Sequence, residues 1–312
     1  MSAQLDALRS FVARRPAAAA VPDDGGAQVL VVGSGKGGAG TSVVAALVAL
    51  AAASLGRRVL LVDADPHVGP QRYLLGIAPE RTLADLRAGV DVASLAVPVS
   101  ATLSLVPGGP GSAGSPALDP AEQRALLRRV AALYPAHDLI VLDGGSRLDA
   151  VCACCDAGGG SAPPARLLVV ADTDPIALAA SYALVKAARE RTSALPGGAV
   201  ACDVIVNRRD DDAARLGFAQ IAAACTEFLG APVRHAGTLP DDGSLALALR
   251  AGMPLQDAAA GSPAAVAAHA LVERLLADLA SDRAAERAPR RSIPTSYAPS
   301  FRSSAVPSGA TR

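Results

Sequence analysis

Residues 34–42 read Ser34-Gly-Lys-Gly-Gly-Ala-Gly-Thr-Ser42 and directly follow the apolar run Gln28-Val-Leu-Val-Val-Gly33. This is a glycine-rich turn between a predicted strand and a predicted helix, where backbone N–H groups and a helix N-terminus bind phosphate. The ordinary phosphate-binding loop has the pattern G-x-x-x-x-G-K-[ST]. Gly35, Gly40 and Ser42 match its two glycines and its magnesium-binding hydroxyl. The segment therefore predicts a site for nucleotide phosphates.

The loop departs from that pattern at one position. Thr41 stands where the lysine is expected, and the only lysine of the loop is Lys36. The chain has 29 Lys plus Arg, of which only Lys36 and Lys186 are lysines, so composition does not account for Lys36. An ammonium group is compact and suits a tight glycine turn better than a planar guanidinium does. We interpret Lys36 as a phosphate-binding residue, and the alternative is a glycine turn that binds nothing.

The composition bounds the class of protein. The chain has 312 residues, 51% of them hydrophobic but only 3% aromatic, so Ala, Val and Leu must form the core. The net charge is zero, which does not favour DNA as a partner. The N-terminus lacks the basic start of a signal peptide, and the longest apolar stretch, 43–55, is too short to span a bilayer. We expect a soluble cytoplasmic protein.

Five cysteines are present, and Cys152, Cys154 and Cys155 form a cluster. The odd number favours reduced thiols. No histidine lies nearby in the sequence and C-x-C-C is not a familiar zinc spacing, so small thiols, buried or at the surface, are favoured over a metal site.

Short apolar runs alternate with helical patterns along the chain, which predicts an α/β fold with a doubly wound, mostly parallel sheet. The predicted strands are 29–32, 59–62, 103–106, 139–142, 167–171, 204–206 and, weakly, 233–238. The predicted helices are 42–55, 120–133, 176–191, 213–229, 244–251 and 263–280. We divide the chain into an N-terminal amphipathic helix and linker (1–26), a nucleotide-binding domain (27–281) and a disordered tail rich in Arg, Pro and Ser (282–312).

Carboxylates follow two of the predicted strands. Asp63 and Asp65 come after the second strand and Asp143 after the fourth. Ligands of such sheets bind at the carboxyl ends of the strands, where aspartates hold Mg²⁺ near a nucleotide. The alternative is that each aspartate caps the following helix. At the same edge, the amide of Asn207 suits a base, and 240–242 could form a wall of the base site; a turn-forming asparagine is the alternative.

These residues resemble the MinD/ParA-type deviant Walker A ATPases over roughly 27–280. The resemblance rests on five motifs: Lys36-Gly-Gly-Ala-Gly40, Val62-Asp-Ala-Asp-Pro66, Val141-Leu-Asp143, Val206-Asn-Arg208 and Leu239-Pro-Asp-Asp242. It implies a P-loop NTPase of the SIMIBI (MinD-like) type, with ATP and Mg²⁺ as cofactors.

The resemblance also implies a role for each matching residue. Lys36 would reach the phosphates of the partner in an ATP-dependent homodimer, and Asp65 would orient the attacking water. Ser42, Asp63 and Asp143 would hold Mg²⁺ directly or through water, and Asn207 would read adenine. The nucleotide would be held by the loop residues Gly35, Lys36, Gly37, Gly38, Ala39, Gly40, Thr41 and Ser42.

Within this family the chain looks most similar to the FlhG (FleN) group, which regulates flagellar number, placement and biosynthesis. The similarity lies in 82–86, 103–109, 174–186 and a partial match at 3–9. That last stretch is similar to an activator helix for the GTPase FlhF and keeps Gln4, Leu8 and Arg9, although a bland amphipathic helix is as good an interpretation. The group implies an FlhF-like GTPase, flagellar regulators or C-ring proteins as partners.

Two features leave alternatives open. Thr41 brings no charge to the phosphates, which predicts either a slow ATPase or a nucleotide-binding scaffold that does not cycle. Cellulose-secretion proteins of the BcsQ type and pilus-localising proteins of the CpaE/TadZ type also often lack that lysine. In the basic tail, Ile293, Tyr297 and Phe301 recur every fourth residue, so peripheral contact with the membrane or a cell pole is a weaker alternative to a solvated tail.

Overall fold

The structure is a computed structural model, which describes residues 26–110, 118–157, 165–195 and 197–287, with side chains of the last helix described to Asp282. The predicted N-terminal helix with Gln4, Leu8 and Arg9 lies outside the described residues, as does the tail from 288 onward.

The described residues form an eight-stranded sheet with the order β3-β4-β2-β5-β1-β6-β7-β8. Neighbouring strands are parallel except for the short edge strand β3, which is antiparallel to β4. The strands are β1 (Gln28–Gly33), β2 (Val59–Asp63), β3 (Val97–Pro98), β4 (Leu103–Val106), β5 (Leu139–Gly145), β6 (Ala165–Ala171), β7 (Ala201–Val206) and β8 (Arg234–Thr238). The predicted doubly wound, mostly parallel α/β sheet is confirmed.

Helices cover both faces of the sheet, and several begin at an aspartate cap that the sequence makes visible. Asp119 forms a capping box with Glu122 ahead of Pro120, and Asp174 accepts a hydrogen bond from the N–H of Ala177. The α-helices among the described residues are α1 (Thr41–Ser54), α2 (Pro70–Leu74), α3 (Pro120–Val130), α4 (Leu148–Asp156), α5 (Pro175–Thr192), α6 (Asp212–Leu229), α7 (Gly243–Arg250), α8 (Leu255–Ala258) and α9 (Pro263–Arg287). Short 3₁₀ helices occupy Leu83–Ala88, Val92–Leu95 and Ala131–Ala136.

Two apolar layers hold the fold together, one on each face of the sheet. On one face, α1 packs beside α9, and α7 and α8 complete the layer. On the other face, α3, α4, α5 and α6 lie side by side. Helix α1 is rich in Ala and buried around most of its surface, which fits a core with few aromatic residues.

The structure contains several elements that were not predicted. They are the two-residue strand β3, the helices α2, α4 and α8, and the three short 3₁₀ helices. Helix α9 continues to Arg287 instead of ending at 280. The ion pairs of Asp282 with Arg166 and Arg234, at 2.5 and 3.0 Å, explain that extension because they tie the helix to the starts of β6 and β8.

The cysteine cluster lies on α4, which packs into the core. Cys152, Cys154 and Cys155 are all buried, as are Cys202 and Cys225. Burial raises the pKa of the Cys202 thiol to about 12, so the thiol is held in its unreactive protonated form. Of the two placements that the sequence leaves open, buried and surface thiols, the structure shows the buried one.

Candidate nucleotide-binding site

The glycine-rich loop connects β1 to α1 at the carboxyl edge of the sheet, as the sequence predicts. Gly38 and Gly40 adopt positive φ angles of 82° and 87°, which an L-residue with a side chain rarely adopts. Gly37 and Gly38 are exposed, and α1 begins at Thr41 immediately afterwards. The loop therefore presents accessible backbone at the N-terminus of a 14-residue helix, an arrangement that favours phosphate.

Thr41 is buried at the end of the loop and is bound to another residue of the loop. Its hydroxyl donates a hydrogen bond of 2.7 Å to Ser34 Oγ, and Ser34 donates one of 2.9 Å to the carbonyl oxygen of Lys36. The side chains of Thr41 and Ser34 are 6% and 0% exposed. The residue at the usual lysine position thus braces the loop internally and supplies no positive charge.

Lys36 lies on the exposed rim of the loop. Its Nζ is 2.8 Å from Asp174 Oδ2, at the N-terminus of α5, and the two side chains are 44% and 39% exposed. The hydrogen bond from Lys36 lowers the pKa of the Asp174 carboxyl. This ammonium group is placed outward, where a second molecule could reach it.

Helix α5 also sets the position of the loop through Gly35. A Cβ atom added at Gly35 would lie 2.0 Å from the carbonyl oxygen of Ala180. Only glycine allows the loop and the helix to approach this closely.

The segment after β7 holds the loop from the other side. Asn207 Nδ2 donates a 2.8 Å hydrogen bond to the carbonyl oxygen of Ala39, and Asn207 is 8% exposed. Arg208, with a positive φ of 61°, donates from Nη2 to the carbonyl oxygen of Gly38 at 2.9 Å and to Asp172 Oδ2 at 2.8 Å. The structure brings Asn207 to the loop, while its contact with adenine stays a prediction.

Asp63 and Asp143 are direct neighbours on adjacent strands, β2 and β5, and neither is exposed. Asp63 accepts hydrogen bonds from the N–H groups of Asp65 and Gln71, at 3.0 and 2.8 Å. Burial raises the pKa of both carboxyl groups, and the charge of Asp143 raises that of Asp63 further. A cation beside this pair would stabilise both carboxylates.

Ser42 and Gln71 connect this pair to α1. Hydrogen bonds from Gln71 and Ser42 to Asp143 oppose the effect of burial on its pKa. Gln71 Nε2 lies 2.7 Å from Asp143 Oδ2 and 2.9 Å from the carbonyl oxygen of Ser42. Hydroxyl and carboxylate oxygens are the ligands that Mg²⁺ prefers, so Ser42, Asp63 and Asp143 fit the predicted metal site.

No three His, Cys, Asp or Glu side chains in the described parts of the chain gather closely enough to hold a metal by themselves. Mg²⁺ is usually bound by one or two carboxylates together with substrate phosphates, and Asp63 and Asp143 supply two carboxylates.

Asp65 lies just beyond the end of β2 and is half-buried. Its Oδ1 accepts hydrogen bonds from the N–H groups of His67 and Val68, at 2.7 and 3.0 Å. The carboxylate thus stabilises the turn that follows β2. Its role in orienting water stays a prediction.

Among the residues of this site that were missed in the sequence are Ser34, Gln71 and Asp172. Ser34 lies inside the quoted loop, but a serine before the first glycine carries no signal of its own. Gln71 begins a helix of five residues, which is too short to show a period. Asp172 follows β6, and the rule that placed Asp63 and Asp143 at strand ends could have found it.

The glycine-rich loop lies in a segment that matches a known protein family. A family model described as ParA, NUBPL iron-transfer P-loop NTPase, matches residues 26–101, which include the loop and Asp63. Over this segment the chain is similar to the ParA-type P-loop NTPases.

Three individual proteins are similar to this chain over most of its length. The antiactivator FleN of Pseudomonas aeruginosa is 29% identical over 251 residues, which are 80% of this chain and 86% of FleN. The septum site-determining protein MinD of Pyrococcus horikoshii, solved with Mg-ADP, has a TM-score of 0.66 and 19% identity, covering 82% of this chain and 98% of that protein. A chain of the MinC:MinD cell division protein complex of Aquifex aeolicus has a TM-score of 0.60 and 20% identity, covering 80% of this chain and 96% of that chain. The two structural similarities establish the fold.

None of the helices in the described ranges combines the length and the apolar character needed to cross a bilayer.

Proposed function

We propose that this chain is an ATP-binding, dimerising regulator of flagellar number and placement, of the FlhG (FleN) type. One arrangement carries the proposal: an exposed Lys36 on the glycine-rich loop and a buried pair, Asp63 and Asp143, at the same edge of the sheet. The 29% identity to antiactivator FleN over 80% of the chain supports the choice of group.

In this proposal the loop N–H groups and the N-terminus of α1 bind the phosphates of the protomer's own ATP. Ser42, Asp63 and Asp143 hold Mg²⁺, which neutralises phosphate charge when bound. Lys36 exchanges Asp174 for a phosphate of the partner protomer. That exchange is favourable because an exposed ion pair contributes little and a phosphate offers more negative charge.

The test is the mass of the protein by light scattering, without nucleotide, with ADP and Mg²⁺, and with ATP and Mg²⁺. Of the three conditions, we expect a dimer only with ATP and Mg²⁺. The Lys36→Ala variant should remain a monomer in that condition. The matched control is Lys186→Ala, which removes the other lysine of the chain, an exposed residue on α5. A Lys36→Ala protein that still dimerises with ATP would refute the bridging role.

A second candidate function, a scaffold that binds partners without cycling, is favoured by Thr41. Thr41 is uncharged, so it does not supply the positive charge of the ordinary lysine at this position. Its hydroxyl donates its hydrogen bond to Ser34. In the same experiment, one mass under all three conditions together with no nucleotide binding by calorimetry would favour the scaffold.

For the partner, we propose an FlhF-like GTPase that is activated by the segment containing Gln4, Leu8 and Arg9. A synthetic peptide of residues 1–14 should accelerate GTP hydrolysis by the purified GTPase, and a peptide with Gln4→Ala should not. Equal rates with both peptides would contradict this role of Gln4.

A further inference from the structure

Gln71 joins three parts of the proposed magnesium site. It lies in the first turn of α2, after Pro70, and none of its surface is exposed. Its backbone N–H donates a 2.8 Å hydrogen bond to Asp63 Oδ2. Its side chain reaches Asp143 and Ser42. This single residue therefore hydrogen-bonds to Asp63, Asp143 and Ser42.

The orientation of the Gln71 amide is fixed by its two acceptors. Nε2 lies 2.7 Å from a carboxylate oxygen of Asp143 and 2.9 Å from the carbonyl oxygen of Ser42. The reverse orientation would place Oε1 against two acceptors and lose both hydrogen bonds. The carbonyl end of the amide therefore contacts neither of these two acceptors.

That carbonyl end has no partner. Gln71 Oε1 is buried from solvent and accepts no hydrogen bond. A buried acceptor without a donor is unfavourable, and a native protein tolerates one where the donor arrives with a ligand. The neighbouring Ser42, Asp63 and Asp143 are the residues that fit a hydrated Mg²⁺ ion.

We propose that Gln71 is a positioning residue of the magnesium site, fixing Asp143 through Nε2 and offering Oε1 to a donor brought by the hydrated magnesium ion. This inference rests on the proposed nucleotide-binding function. The rival explanation is that Gln71 only fastens α2 to the sheet. That role would affect stability alone, whereas the proposed role makes nucleotide affinity depend on Mg²⁺ through Gln71.

The experiment measures the dissociation constant of fluorescently labelled ADP with excess Mg²⁺ and with EDTA. The ratio of the two constants reports the contribution of the metal. Gln71→Met keeps the length of the side chain but removes the donor and the acceptor. We expect the ratio to fall about tenfold in this variant, which corresponds to about 1.4 kcal/mol. The dissociation constant measured in EDTA should not change.

The matched control is Gln123→Met. Gln123 is also buried, at 1% exposed. Its Nε2 donates a 2.8 Å hydrogen bond to the carbonyl oxygen of Ala64, the residue next to Asp63 in the chain. This variant should keep the wild-type ratio while losing comparable stability. Thermal unfolding of each variant serves to establish that it is folded. If Gln71→Met does not fold, Gln71→Asn, whose amide is one methylene shorter, serves in its place with the same expectation.

The outcomes separate the two levels of the argument. A wild-type ratio in Gln71→Met overturns the positioning role while the nucleotide function stands. An equal loss in Gln123→Met also overturns it, because the effect would then follow from any buried glutamine. A wild-type protein that binds no nucleotide refutes the proposed function, and the inference about Gln71 falls with it.

Discussion

Replacing Gly35 with alanine tests how closely α5 determines the shape of the phosphate loop. The added Cβ would lie 2.0 Å from the carbonyl oxygen of Ala180, 2.2 Å from its carbonyl carbon and 2.9 Å from its Cβ. The two closest atoms belong to the backbone in the middle of α5, so no side-chain rotation can relieve the contact. The loop or the helix must move.

The size of the effect follows from these distances. Carbon and carbonyl oxygen ordinarily approach no closer than about 3.3 Å, so the loop and the helix must separate by roughly 1 Å. Overpacking of this kind costs about 1–3 kcal/mol, and a contact with backbone belongs at the upper end. For a domain of this size, a loss of about 3 kcal/mol lowers Tm by roughly 6–12 °C.

Gly37→Ala is the matched control in the same loop. A Cβ at Gly37 would meet only Ser146 Oγ, at 3.6 Å, which is ordinary contact. This variant should unfold within about 0.5 kcal/mol of the wild type. The assay is thermal and urea unfolding of the nucleotide-free protein, followed by circular dichroism. Equal stability of the two variants would refute the close contact of the loop with Ala180.

Three further predictions concern the site and its surroundings. Asp65→Ala should lengthen the life of the ATP-dependent dimer, measured by light scattering after nucleotide removal; equal lifetimes would mean that Asp65 does not reset the dimer. Thr41→Lys should tighten nucleotide binding roughly tenfold in calorimetry. By contrast, Thr41→Val should leave binding unchanged and cost about 1 kcal/mol of stability, because Ser34 loses a donor. Burial raises the pKa of Asp242, but hydrogen bonds from two serine hydroxyls and two backbone N–H groups outweigh it and hold that pKa well below its usual range. The stability that Asp242 contributes is therefore present above about pH 4 and lost as the pH falls, by about 1 kcal/mol after allowance for solvent. Urea unfolding at several pH values should show that Asp242→Asn loses less stability in acid than the wild type does. The control variant Asp241→Asn should behave as the wild type.

The sequence determined the order of the main strands and helices. Runs such as 29–32 and 139–142 are apolar throughout, because both faces of a central parallel strand are covered by helices. The short or wholly buried elements were not predictable in this way. Helix α2 is too short to show a period, and α4 has buried residues around most of its surface, so it has no polar face to reveal it.

The sequence by itself also determined where the site lies. A glycine-rich turn after a buried strand, with Asp63 and Asp143 at the ends of two others, predicts a nucleotide site because parallel strands deliver their carboxyl ends to one edge. Residue type and local spacing carry that information.

Only the tertiary structure decided what these residues do to one another. Lys36 pairs with Asp174, and Asn207 holds the loop at Ala39, across separations of 138 and 168 residues in the chain. Gln71 meets Asp143 across 72 residues. No local pattern encodes such contacts, because they arise when separate strands deliver their side chains to the same edge of the sheet.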